Sequence, residues 1–281
     1  MKTERTTQWL RTLARSVLVG CPLLAFACGT TREDPTGGET HFFTCDTDAD
    51  CSWLSPRYSC SAGYCSTEPT PSCPTPAVAA SEVVVLGDSF FAASHLITGF
   101  LEERARQSGA LAPGERYRDE SSVIENTLAL AMPGIEAQYA TVSEESAVKV
   151  VIMTGGGADV LLGSCDSVSA SCELLVAARD AASRLFERLA VDGVEHVVYV
   201  FYPDPADPGL RAKVDTLRPL LATACEGSPV PCHWVDLRET FAGKEATYLD
   251  ATGTAPTAQG AEVAAQQIWD EMKASCVAQA P

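Results

Sequence analysis

From Glu82 onward, short apolar runs alternate with amphipathic stretches. Val83-Val84-Val85-Leu86 is apolar without interruption, as a strand buried on both faces requires. Val148–Met153, Val197–Tyr202 and His233–Leu237 repeat the pattern, and Thr127–Met132 gives a weaker version of it. Between these runs lie stretches with helical spacing, at about 93–107, 173–190, 209–224 and 258–274. Strands that alternate with helices predict an α/β domain over 82–276, a three-layer, doubly wound parallel sheet with helices on both faces.

The first eighty residues read differently. Residues 1–27 carry Lys2, Arg5, Arg11 and Arg15 ahead of a short apolar stretch ending in Ala25-Phe26-Ala27, the pattern of a secretory signal. Two cleavage modes fit. Ala25-Phe26-Ala27 suits ordinary signal peptidase, and Leu24-Ala25-Phe26-Ala27-Cys28 resembles a bacterial lipobox, in which Cys28 is lipidated. Cysteine arithmetic favours the second. Of 12 Cys, Cys21 leaves with the signal and an odd number remains. With lipid on Cys28 the other ten can pair in an oxidising compartment, the periplasm or cell surface. The expected location is therefore the bacterial cell envelope, with the chain held to the membrane by lipid only, and secretion as the alternative.

Residues 28–44 then form a tether, and 66–81, rich in Pro, Thr and Ser, a semi-rigid linker. Between them, 45–65 is too short to bury a core and must be held by disulfides. Of its three possible connectivities, Cys45–Cys60 with Cys51–Cys65 is the one expected. Farther along, spacing suggests Cys165–Cys172 and Cys225–Cys232 as loop clips and Cys73–Cys276 as a tie between the domain's ends, the last contributing up to ~5 kcal/mol in the chain-entropy model. Asp46, Asp48 and Asp50 alternate like the start of a calcium loop, but Cys51 and Arg57 stand where that loop needs Gly and Glu. No C-x2-C pair suggests zinc, and no metal or other cofactor is expected. Phe42, Phe43, Trp53, Tyr58 and Tyr64 are dense enough to stack on a sugar or peptide, though packing on the disulfides is the stronger reading.

Charge removes a class of partners. Lys and Arg number 20 against 37 Asp and Glu, a net −17. Loss of the cationic leader makes the remainder more acidic still. Without a local basic patch such a chain does not bind nucleic-acid phosphates. Oligomeric state is not legible.

Candidate chemistry lies at the carboxyl ends of the expected strands, where open α/β sheets bind ligands. Gly87-Asp88-Ser89-Phe90 follows the first strand, Ala131-Met132-Pro133-Gly134 the weak second, and Gly155-Gly156-Gly157-Ala158-Asp159 the third. Residues 248–260, from Tyr248 to Gly260, precede the last helix. A strand-to-helix turn with an Asp or Ser cap explains the first motif taken alone. The four in order resemble the SGNH (GDSL-type) hydrolases over about 82–274, which implies a flavodoxin-like sheet and metal-free ester hydrolysis. The resemblance implies Ser89 as nucleophile, Gly134 as a backbone oxyanion donor, and Asp88 as a brace of the loop. It also shows two losses. The family's oxyanion Asn falls on Ala158 and its base His on Ala255, with Thr252 at the acid. Aligning on Asp250, the candidate remnant acid, puts Gly253 in the His place instead.

A serine hydroxyl is a poor nucleophile until a base takes its proton. Losing the base of a Ser-His-acid set costs on the order of 10⁶ in turnover, and losing one oxyanion donor about 10²–10³. His41 lies in the tether, while His196 and His233 sit at strand starts, away from the carboxyl end. His95, six residues after Ser89, is the remaining candidate for a displaced base. Three readings follow. One is a non-catalytic or nearly inactive SGNH-fold lipoprotein that binds a small-molecule, glycan or acyl-ester ligand. The others are an active esterase with a displaced base and an adhesion module working through the Cys-rich unit.

Overall fold

The computed structural model describes residues 44–45, 47–51, 54, 59–61, 63–66, 73, 78–124, 126–130 and 134–279. All of them fall in one compact unit, Phe43–Pro281. The leader, Cys28, His41, Trp53, Tyr58, the tether and most of the 66–81 linker lie outside the described residues.

A single helical turn, α1 (Asp48–Cys51), precedes a small antiparallel hairpin, β1 (Ser59–Ser61) and β2 (Tyr64–Ser66). Disulfides join Cys45 to Cys60 and Cys51 to Cys65 around it. Asp50 accepts from the Thr47 amide and hydroxyl at 2.9 and 3.0 Å, so it serves as a turn acid.

The main sheet is parallel throughout, built from β3 (Val83–Leu86), β4 (Arg118–Asp119), β5 (Val150–Met153), β6 (His196–Phe201) and β7 (Cys232–Asp236). Its order is β4-β3-β5-β6-β7. The central strands are β-branched and fully buried, as strands covered on both faces must be. The helices are α2 (Ser89–Ala92), α3 (Leu96–Gln107), α4 (Ile135–Glu145), α5 (Gly157–Leu162), α6 (Glu173–Val191), α7 (Pro208–Glu226), α8 (Arg238–Phe241), α9 (Glu245–Tyr248) and α10 (Ala258–Ala274). Two long helices start on side-chain caps. Asp207 accepts the Leu210 N–H with Pro208 at the first helical position, and Thr257 accepts the Gly260 N–H. Right-handed crossovers place α3 on one face, where α10 packs against it, and α4, α6 and α7 on the other. Among the described residues no helix is long and apolar enough to cross a membrane.

The expected second strand is corrected. Residues 127–130 form no strand, and the edge strand is Arg118–Asp119. The apolar character of 127–130 belongs to a loop whose amides are bound elsewhere. Leu128, Ala129 and Leu130 donate their N–H groups to the Asp159 carboxylate at 2.7, 2.8 and 3.2 Å. The true edge strand is polar and half-exposed, so no apolar run marks it.

Three further disulfides, Cys73–Cys276, Cys165–Cys172 and Cys225–Cys232, close the long and short loops of this unit.

Candidate active site

The strand order reverses direction between β3 and β5, and the ligand site of a doubly wound sheet opens at that switch point. Both Gly-rich turns lie there. Gly87 has φ +152°, and a Cβ would collide with the Thr154 side chain at 2.5 Å, so only glycine lets β3 turn this close to β5. Asp88 then caps α2 by accepting the Phe90 N–H at 3.0 Å, which presents Ser89 as the first helical residue.

Ser89 lines a cleft of about 680 Å³, counting the space open to solvent at its mouth. Asp88, Asn126, Ala158, Tyr202, Gly253 and Thr254 share the lining. The rest is mostly apolar: Phe90, Val160, Leu161, Leu162, Leu210, Val214 and Leu249, with Pro203 and Pro205. At the rim Leu161 and Leu162 are 55 and 68 % exposed, a costly display of leucine for a surface with no partner.

Ser89 Oγ makes no hydrogen bond to any described residue. Among the described residues, the carboxylates beside it are engaged elsewhere. Asp88 is buried and occupied: beyond the Phe90 N–H it accepts the Tyr202 hydroxyl at 2.6 Å and faces the Ala158 N–H. Burial raises its pKa despite these donors. The Tyr202 phenol, itself accepting the Gly157 N–H at 3.1 Å, is pushed well above its ordinary value, first by burial and then by Asp88. Asp250 is exposed and spent on its own turn. It accepts the Thr252 hydroxyl at 2.6 Å and faces the amides of Thr252, Thr254 and Ala255, which lower its pKa, the hydroxyl most.

The histidines stand elsewhere. His95 Nδ1 lies 3.0 Å from Asp119 Oδ2, which also accepts the Thr98 hydroxyl at 2.5 Å, while Ser121 donates to Oδ1 at 2.6 Å. His95 is not part of the cleft lining. His196 and His233 pair with each other at the amino ends of β6 and β7. Burial lowers both, with the neighbouring imidazole adding to the effect on His196.

The structure thus brings Ser89, Asp88 and Ala158 to one cleft, together with Gly253 and Thr254. It does not bring Gly134 or Ala255 to the lining. Gly134 begins α4 against the loop, where a Cβ would overlap the Thr127 carbonyl oxygen and where that carbonyl accepts the Ile135 N–H. Its need for glycine is therefore close packing. Residues 131–133 lie outside the described residues. Gly134→Ala is expected to cost about 1–3 kcal/mol, read as a lower urea midpoint, because backbone rather than a flexible side chain must move.

Sequence reasoning missed Tyr202 and Asn126. The first had a signal, since it ends a core strand run at the carboxyl side. Asn126 had none; it enters the cleft because Asp159 folds the following loop inward, and its own amide donates to the Val123 carbonyl at 2.8 Å.

Comparison with solved structures settles the fold. An acetyl esterase mutant crystallised with acetate ion matches at TM-score 0.52 and 13% identity, covering 69% of this chain and 97% of that one. An alpha/beta hydrolase enzyme from the metagenome of Lake Arreo, Spain, matches at 0.51 and 18%, covering 71% and 97%. A catalytic mutant of an acetylxylan esterase from Geobacillus stearothermophilus matches at 0.50 and 13%, covering 70% and 96%. The fold is that of the SGNH/GDSL hydrolases. At these identities the likeness fixes the SGNH architecture and leaves the chemistry to this chain's own residues. No protein-family model and no curated protein matches the sequence.

Asp88 gives a pH prediction. A carboxyl whose folded pKa lies above its unfolded one stabilises the fold fully below the unfolded value near 3.8 and loses that contribution as pH rises to the folded value. The stability of the wild type minus that of Asp88→Asn, from urea titrations, is expected to fall as pH is raised from 4 toward 7. A difference that grows with pH contradicts a raised Asp88.

Proposed function

We propose that this chain is an exported, lipid-anchored SGNH-fold protein whose cleft binds an acyl-ester ligand with little or no turnover. The observation that carries the reading is Ser89 in an apolar cleft where, among the described residues, no imidazole or free carboxylate meets its Oγ. Ala158 at the family's amide position removes a second catalytic group. Among ligands, the lining favours an acyl chain over a glycan. Sugars need a set of convergent hydrogen-bond groups, and here most such groups are already paired within the protein. The mutually bound His95–Asp119 pair is the nearest basis for an active-esterase alternative, and its absence from the lining weighs against it.

Hydrolysis of short p-nitrophenyl esters tests the reading. The rate with wild-type chain is expected to match that of Ser89→Ala, while a fluorescent fatty-acid probe binds both and is displaced by acyl esters. Serine-dependent turnover defeats the proposal. Loss of acyl binding with retention of an oligosaccharide redirects it to glycans. For the anchor, Cys28→Ser is expected to move the chain from the membrane to the soluble envelope fraction. Unchanged membrane association contradicts lipid at that position.

A further inference from the structure

We propose that His196 and His233 form a site for a divalent transition-metal ion, zinc in particular, at the amino end of the sheet, opposite the cleft. The register of β6 and β7 pairs Val198 with His233. His196 is two residues from Val198, so both imidazoles leave the same face of neighbouring strands. His196 Nδ1 lies 3.1 Å from His233 Nε2, with the rings tilted 35°. Two zinc–nitrogen bonds of about 2.0–2.1 Å at a tetrahedral angle span about 3.3 Å, so a few tenths of an ångström of opening admits the ion.

The other nitrogen of His233 is supported. Its Nδ1 faces Glu271 Oε1 at 3.5 Å, and Ser275 donates to that same oxygen at 2.8 Å. A carboxylate behind an imidazole fixes the tautomer and raises the basicity of the nitrogen that meets a metal. With the proton on His233 Nδ1, the lone pair on Nε2 points at His196, and the hydrogen between the rings is the one on His196 Nδ1. Metal binding replaces that hydrogen bond: His196 moves its proton to Nε2, both facing lone pairs bind the ion, and no net proton is released. The frame is stiff, because β7 starts at Cys232, bonded to Cys225 on α7. Glu195, whose charge also acts on His196, is held by Lys149 at 2.9 Å. Both residues are partly exposed, the His233 side chain by 18 %, which leaves an edge for water to complete the shell.

The test is calorimetric titration of zinc chloride into the untagged full chain at pH 7.5, after chelator treatment and alkylation of free thiols. One equivalent of saturable binding is expected, abolished by His196→Asn and by His233→Asn, and weakened about 10–100-fold by Glu271→Gln. In the wild type, imidazole NMR resonances of His196 and His233 are expected to shift at one equivalent while those of His95 stay in place, a readout independent of how the variants fold. No saturable binding, binding indifferent to His233→Asn, or shifts confined to other histidines overturns the site.

Discussion

Gly253→His combined with Ala158→Asn is expected to raise hydrolysis of p-nitrophenyl esters at least about 100-fold over the wild-type chain, the low end of what a positioned general base contributes. Both positions line the cleft with Ser89. Gly253 has φ +70°, a left-handed conformation that His tolerates better than most residues. A Cβ there meets nothing nearer than Ala206 Cβ at 3.6 Å. Asp250 stands three residues earlier, the spacing of the family's acid and base, and its lowered pKa keeps it ionised at neutral pH. The gain should vanish when Ser89→Ala is added. The other alignment, Thr252→Asp with Ala255→His, is expected to gain nothing, because Ala255 lies off the cleft and its backbone carbonyl accepts the Asp250 N–H at 2.8 Å. A gain from the second pair alone moves the lost base to position 255.

Asp159→Ala is expected to destabilise the fold by about 3 kcal/mol. The carboxylate is fully buried and takes three successive N–H groups from the 128–130 loop. Its removal strands those donors, discounted because Leu128 and its neighbours are only half-buried and water reaches some of them. Asp159→Asn keeps one acceptor oxygen and should recover part of the loss. Because the same loop carries Asn126 into the cleft, the alanine variant should also weaken acyl-probe binding. Denaturation midpoints and probe affinity measured on the three proteins check both effects. A loss below 1 kcal/mol removes Asp159 as the organiser of the loop.

These two sites mark what the chain made legible. Buried parallel strands write themselves as apolar runs, so β3, β5, β6 and β7 lie within about two residues of the expected ranges, and α10 spans the expected 258–274. The edge strand did not, since Arg118–Asp119 buries no continuous apolar surface and rests on backbone pairing with Val84 and Val85. Its apolar substitute, 127–130, is held by a side chain thirty residues away, a long-range contact that no local pattern encodes. The same reason hid Tyr202. A tyrosine ending a strand reads as core, and its part in the site depends on Asp88, 114 residues away. Ser89 and Ala158 were legible because glycine-rich turns sit at strand ends. The choice between Gly253 and Ala255 was not, because two alignments of one turn fit the sequence equally and only the cleft separates them.

Intact-mass spectrometry of the folded wild-type chain after exposure to a fluorophosphonate probe tests the central claim most directly. On the proposal that no base activates the hydroxyl, Ser89 is expected to remain unmodified over times that label an active serine esterase to completion. A stoichiometric adduct mapped to Ser89 would mean that some group does take its proton, and the reading of the cleft as non-catalytic would fall.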